Sequence, residues 1–285
     1  MFKVLRDLLR YNKEFLGGVI LTGVVLVVAT MHFFSPYPDS AVYVVAPDMP
    51  PSAEFWFGTT SRGQPVFWQI SAALWNTLLF GIVVAVLSRI LSITVGLISG
   101  YMGGRTDQVL MAINDTFVAL PNIPILLLVY FVMRDQMNWV TLAIAAALLG
   151  WNYDSRLIRS VALSLRTREF TRHAVFSGMR MSQILLREHL PYVLPIVFFT
   201  TMNNLIWAIG LEVTLSVLGF IDINRPTIGG MIFWANQHSA IVAGIWWWIA
   251  FPMAFVNVLF LGLFLLAISV NEYVDPRSRL SRMGG

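Results

Sequence analysis

Residues 150–191 read GWNYDSRLIRSVALSLRTREFTRHAVFSGMRMSQILLREHLP. This is the most charged stretch of a very apolar chain. Seven arginines stand in it: Arg156, Arg159, Arg166, Arg168, Arg172, Arg180 and Arg187. Apolar runs long enough to cross a bilayer lie on both sides. Lys and Arg near span ends resist translocation, so the stretch is expected on the cytoplasmic side of a membrane. It is too long to be a mere connector. Charge alone leaves two readings open: a loop that only fixes topology, or one with a role of its own.

The interior of the stretch predicts two short helices. Phe170, Ala174 and Ser177 share one helical face. Gly178 follows, where a left-handed residue closes a helix. Ser182 can cap a second helix, Gln183 to His189. Leu190-Pro191 then opens the next apolar run, because the first turn of a helix tolerates proline.

Composition agrees with a membrane setting. Of 285 residues 57% are hydrophobic and 12% charged, and the mean hydropathy is +0.72. Soluble globular chains do not look like this; multi-span membrane proteins do. The net charge of +4 does not indicate nucleic acid, since the arginines gather at span ends. The chain has no cysteine, so disulfides, thiolate zinc sites and thiol nucleophiles are excluded. It contains no G-x-x-x-x-G-K-[ST] phosphate loop, no H-E-x-x-H and no Gly-x-Ser-x-Gly elbow. His32, His173, His189 and His238 show no paired ligand spacing. No enzymatic chemistry is expected within this polypeptide, and no cleavable signal is read at its start.

Along the chain, residues 1–14 read as a basic cytoplasmic segment, either an amphipathic surface helix or a disordered tail. The first span is expected over residues 15–34. Residues 35–72 are proline-rich and lean acidic, as an outside loop would be. The second span is expected from Ala73 to Gly100. Arg89 near its middle must face the bundle interior, a partner or water. It either lines a path through the bundle or forms a structural pair, with Asp115 as the candidate partner. The third span, Val109 to Val132, is expected to bend at Pro121 and Pro124, and the fourth runs from Trp139 to Tyr153. The fifth runs from Tyr192 to Gly219 and carries Asn203, Asn204 and Glu212. These three, like Arg89 and Asp115, are possible path-lining residues. For Glu212 the other reading is a hydrogen-bonded core acid. The sixth span, Ile245 to Val270, is entered by Trp246, Trp247 and Trp248. They form an interfacial belt or a stacking platform, the belt being the better fit. Residues 272–285 form a basic cytoplasmic tail. The expectation is an all-α integral membrane protein of six transmembrane helices with both termini cytoplasmic.

The order of residues inside the basic stretch resembles the cytoplasmic "EAA" loop of ABC importer permeases. That pattern is Glu-Ala-Ala, three residues, Gly, nine residues, a hydrophobic residue, any residue, then Leu-Pro. Ala174, Gly178, Leu190 and Pro191 stand at those spacings, while Arg172 replaces the acid and Glu188 the hydrophobic residue. The upstream LIRSVALSLRTREF is similar to the lead-in of the dipeptide and oligopeptide branch. Residues 57–66 resemble that branch's Leu-Gly-Thr-Asp…Gly-Arg-Asp-Val element at Gly58, Thr59, Gly63 and Val66, with Thr60, Gln64 and Pro65 differing. LEVTLSVLGF, GGMIFWANQHSA and Asp275-Pro276-Arg277 resemble later parts of the family.

The resemblance covers about residues 57–280 and implies the C-type permease of an oligopeptide/dipeptide importer, with the type I importer fold over residues 73–271. It implies a coupling loop, residues 156–190, in which Arg168, Glu169, Phe170, Arg172, Ala174, Phe176, Gly178, Leu190 and Pro191 meet an ATPase. Ala174 and its apolar neighbours are expected to face an ATPase groove. The implied partners are a homologous B-type permease, two ATPase subunits that hold the ATP and magnesium, an extracellular or periplasmic binding protein, and the lipid bilayer of a prokaryotic plasma membrane. No cofactor or metal on this chain and no nucleic acid are implied. The cargo is a peptide, or in some relatives an oligosaccharide or nickel. Two other classes compete: an ion-driven secondary transporter, which needs intramembrane titratable residues or broken repeats, and a non-transporting scaffold.

Overall fold

The computed structural model describes residues 12–133, 138–220 and 225–274. Among them the chain is nearly all helical. The helices are α1 (Lys13–Thr30), α2 (Val66–Met102), α3 (Gly104–Ala119), α4 (Asn122–Val132), α5 (Trp139–Gly150), α6 (Asn152–Arg166), α7 (Glu169–Phe176), α8 (Met181–Val217), α9 (Ile228–Gln237) and α10 (Trp247–Val274). Residues 1–11 and 275–285, where the basic segment and most of the tail were read, lie outside the described residues, as does most of the Met133–Asn138 turn.

Among the described residues four helical stretches are long and apolar enough to cross a membrane: Lys13–Phe34, Val66–Met102, Met181–Val217 and Trp247–Val270. The third span bends at Pro121 as expected, whereas Pro124 lies inside α4. α3 and α4 meet at 85°, and counting them as one broken span makes five. The break falls at Leu120-Pro121, because a residue before proline is pushed out of the helical region, and Leu120 is extended at ψ 129°. The expected fourth span is a 12-residue apolar helix, α5, about 18 Å long at 1.5 Å per residue and short for a bilayer core. The second span starts at Val66, earlier than read from sequence, and is 37 residues long.

The chain divides into two compact units. The first comprises Met1–Ile82, Asp135–Trp139 and Ile206–Leu266. Here α1 lies against α10 at a contact that only small residues permit. A Cβ on Gly18 would come within 2.9 Å of the Gly262 carbonyl oxygen. Without a hydrophobic drive between helices in lipid, such close backbone approach is what holds them together. The proline-rich segment folds as a compact clasp. Thr59 Oγ1 donates to the Ala46 carbonyl at 2.8 Å and accepts from the Met49 N–H at 2.8 Å. Trp247 Nε1 donates to the Thr59 carbonyl at 3.0 Å, so this indole is anchored in the unit's core while Trp246 remains exposed. The three tryptophans therefore do not act alike.

The second unit comprises Val83–Arg134, Val140–Leu205 and Ala267–Gly285. Its core joins Leu97 of α2, Ile158, Ala162 and Leu165 of α6, and Leu185, Val193 and Val197 of α8. α6 is amphipathic, with apolar residues at helical spacing facing this core. The helix expected to open at Leu190-Pro191 instead begins at Met181 and runs without a stop to Val217. The turn before Pro191, Ile184–His189, is π-helical. Widening the helix there accommodates a proline that supplies no N–H and crowds the carbonyl four residues back.

Candidate functional site: the basic loop and its exposed tip

The loop read from sequence belongs to the second unit and is built on α6, α7 and the start of α8. The cap of the second short helix differs from expectation. Arg180, not Ser182, precedes its first turn, and the Gln183 side chain accepts from the Arg180 N–H at 2.9 Å. α7 closes as expected at Gly178, which has φ +76°. The Met179 N–H reaches the Ala174 carbonyl at 3.1 Å and the Gly178 N–H reaches Val175 at 3.0 Å. This bond pair is the Schellman closure, and it needs a left-handed residue. The space around the Gly178 Cα is open, so the requirement lies in the backbone and not in packing.

α7 turns one face inward. Thr171 is buried; its hydroxyl donates to the Leu165 carbonyl at 2.8 Å and lies 3.0 Å from His189 Nε2. Phe170 stacks on Tyr192, with centroids 5.2 Å apart. Ala174, one turn beyond Thr171, is also inward, with 7% exposure. The expectation that Ala174 faces a partner is therefore corrected: Thr171 and Ala174 share the face that seats α7 on its own chain. The outward face carries Arg172, His173, Val175 and Phe176, with Val175 51% and Phe176 87% exposed. These two side chains make an exposed apolar pair at the tip of the loop. Arg168, Glu169 and Pro191 are exposed as well, and Leu190 is half-buried against the core.

The inner half of the loop is stapled down by its arginines, a feature absent from the sequence reading. Arg159 grips Asp107 of α3 with Nε and Nη2 at 2.5 and 2.6 Å. This bidentate pair holds the guanidinium's proton more firmly than usual. Arg156 bonds Asp115 at 2.5 Å and Asn114 at 3.1 Å. Asn114 also donates to Ser155 and to the Asn152 carbonyl. The available signal was spacing: Asp107 and Asp115 lie two turns apart on α3, and Arg156 and Arg159 three residues apart on α6.

The possible path-lining residues are divided between the two units. Arg89 is a structural pair, but with Asp154 and not with Asp115: its guanidinium binds the Asp154 carboxylate and Thr200 Oγ1 in a buried site. Asp115 is exposed and taken by Arg156. Asn204 is buried and donates to the Gly150 carbonyl at 3.0 Å, whereas Asn203 is exposed. Glu212 belongs to the first unit. Its carboxylate accepts from Ser216 at 2.7 Å and Thr77 at 3.3 Å, the arrangement of a core acid.

A nearly all-helical chain with several apolar helices long enough to cross a membrane, and a basic loop between them, has the make-up of a multi-span membrane protein. Comparison with known proteins gives the family. Residues 92–280 match the binding-protein-dependent transport system inner membrane component family, and the chain belongs to it. It is 31% identical over 235 residues to the oligopeptide transport system permease protein OppC of Mycobacterium tuberculosis (strain H37Rv), across 82% of this chain and 80% of that one. It is 27% identical over 274 residues to OppC of Bacillus subtilis, across 95% and 88%, and 25% identical to the dipeptide transport system permease protein DppC of the same organism, across 95% and 84%. Among solved structures, the MetNI methionine ABC transporter in inward-facing conformations has the same fold. The TM-score is 0.54 at 16% identity, over 76% of this chain and 97% of that one. The chain is thus the permease subunit of an ABC importer.

Proposed function

We propose that this permease imports peptides and forms half of the translocation path with a second, related permease of the B type. Two ATPase subunits bind the cytoplasmic loops, and a binding protein delivers cargo outside. The named relatives, two oligopeptide permeases and one dipeptide permease, support the cargo. In this reading six segments cross the plasma membrane of a prokaryotic cell, α3–α4 as one broken span and α5 with the start of α6 as another, and both termini are cytoplasmic. The chain itself binds no ATP, metal or cofactor and performs no catalysis. Residues 15–34, 73–271 and 156–190 keep the roles of first span, permease domain and coupling loop.

One observation carries the coupling role: Val175 and Phe176 stand exposed on α7 while Thr171 and Ala174 seat the same helix on its own chain. Closure of the ATPase dimer on ATP would move the seated helix as a lever, and α6, stapled to α3, would pass the motion to the spans. Arg168, Glu169 and Arg172 rim the contact, and Arg172 fits an acidic partner. The ion-driven alternative loses its titratable groups, since Arg89 and Glu212 are both taken up in internal bonds.

The test is reconstitution. With both permeases, both ATPases and loaded binding protein in proteoliposomes, peptide uptake should follow ATP hydrolysis. This chain alone should neither bind nor hydrolyse ATP. Oligosaccharide or nickel uptake in place of peptide would reassign the cargo, and ATP turnover by the isolated chain would remove the assignment.

A further inference from the structure

The first unit holds a narrow crevice of about 40 Å³, room for roughly three water-sized groups. Arg62, Arg225, Asp39, Thr60 and Trp234 are on its wall. The Arg62 guanidinium carbon lies over the Trp234 ring, 4.2 Å from its centroid. Arg225 lies over Trp139 at 5.1 Å. Among the described residues neither arginine has a carboxylate partner. Asp39, the acid on the wall, faces His32 at 3.3 Å. Among the described residues the crevice therefore presents two guanidinium groups against one carboxylate. Burial lowers the Arg62 guanidinium from its usual value, with Tyr43 acting in the opposite sense, so this cation has given up water without gaining a carboxylate among the described residues. The start of α9 adds to the positive field. Pro226 and Gly230 border the crevice, and the positive end of a helix dipole favours an anion there.

We propose that this crevice is a carboxylate site that receives the C-terminal carboxylate of a peptide as the binding protein releases it. The inference rests on the peptide-import reading and on the proline-rich segment facing outward. A planar guanidinium fork matches a carboxylate with two parallel hydrogen bonds, and stacking on tryptophan holds the fork in place. The small volume admits the end of a chain and not its body. Arg62 is half-buried, which suits a slender chain end better than a side chain on a docked protein face. Arg225 is exposed at the mouth and would draw the anion in.

The test uses the purified pair of permeases in nanodiscs with radiolabelled Ala-Ala-Ala-Phe and its C-terminal amide, without ATP or binding protein. The wild type should bind the acid at least tenfold more tightly than the amide. Arg62→Gln should abolish that preference, Arg62→Lys should retain part of it, and Arg225→Gln, an exposed change that leaves folding intact, should reduce it several-fold. Equal binding of acid and amide by the wild type, or an undiminished preference in Arg62→Gln and Arg225→Gln, overturns the proposal. A separate pull-down with empty binding protein completes the test: variants that keep the peptide preference but lose the binding protein also overturn the proposal, since the carboxylate would then be the binding protein's. Proteoliposome uptake separates the two levels: wild-type carboxylate preference without peptide uptake would fail the import reading and leave the site standing.

Discussion

Thr171 of α7 and His189 of the π-helical turn meet at 3.0 Å in a buried site, and the same Thr171 hydroxyl donates to the Leu165 carbonyl at the end of α6. One side chain thus ties three successive pieces of the loop together. Thr171→Val keeps the shape and removes the hydroxyl, leaving the histidine nitrogen unpartnered. It should lower the stability of the loop by about 1–3 kcal/mol. Limited proteolysis of the detergent-solubilised permease, cut faster between Arg166 and Arg180, is the measurement; an unchanged rate would show that the hydroxyl does not hold the loop.

Phe176 and Val175 should carry the ATPase contact. Phe176→Ala removes a large exposed ring that the permease itself does not use, so its own folding should be unchanged. Loss of an aromatic anchor costs about 2 kcal/mol at an interface, roughly thirtyfold in affinity. Co-purification of the ATPases should fall accordingly. Retention at wild-type levels would move the contact away from α7.

Ala174→Glu is expected to act within the permease. The site is buried, and an unpaired carboxylate there costs several kcal/mol. The variant should insert normally but show a protease-sensitive loop before any ATPase is added. If the isolated permease is as resistant as wild type and only docking is lost, Ala174 faces a partner after all.

At Gly178 the backbone, not size, should decide. A side chain meets open space, yet φ +76° disfavours any residue with a Cβ. Gly178→Ala should cost about 1–2 kcal/mol, Gly178→Val should cost more through its branched chain, and Gly178→Asn should cost least. Thermal unfolding of the three variants gives the order; equal values would show that the closure is not maintained.

The Arg89–Asp154 pair offers a double-mutant cycle. Removing one partner strands a buried charge, at about 3–5 kcal/mol, whereas replacing both with apolar residues is far milder. Arg89→Met/Asp154→Leu should therefore be more stable in detergent than either single variant. Additive losses would mean the two charges do not depend on each other.

Several features were legible in sequence because they are local. Mean hydropathy and the clustering of arginines between apolar runs specify a helical membrane protein with a basic loop. The spacing of Ala174, Gly178, Leu190 and Pro191 identifies the family, and a glycine after a short helical run predicts the closure found at Gly178. What only tertiary structure decided depends on contacts between residues far apart in the chain. Residue type marks Arg89 as needing a partner, but the choice of Asp154 over Asp115 follows from how α2, α6 and α8 pack. Ala174 turns inward on the same face as Thr171, whose contact with His189 joins residues 18 positions apart. Pro121 marks in sequence where α3 and α4 part, but the 85° size of the break was not legible, because a proline says where a helix stops and not where the next one points. Composition and spacing are properties of the chain, whereas pairing and facing arise only when separate helices compete for the same buried space.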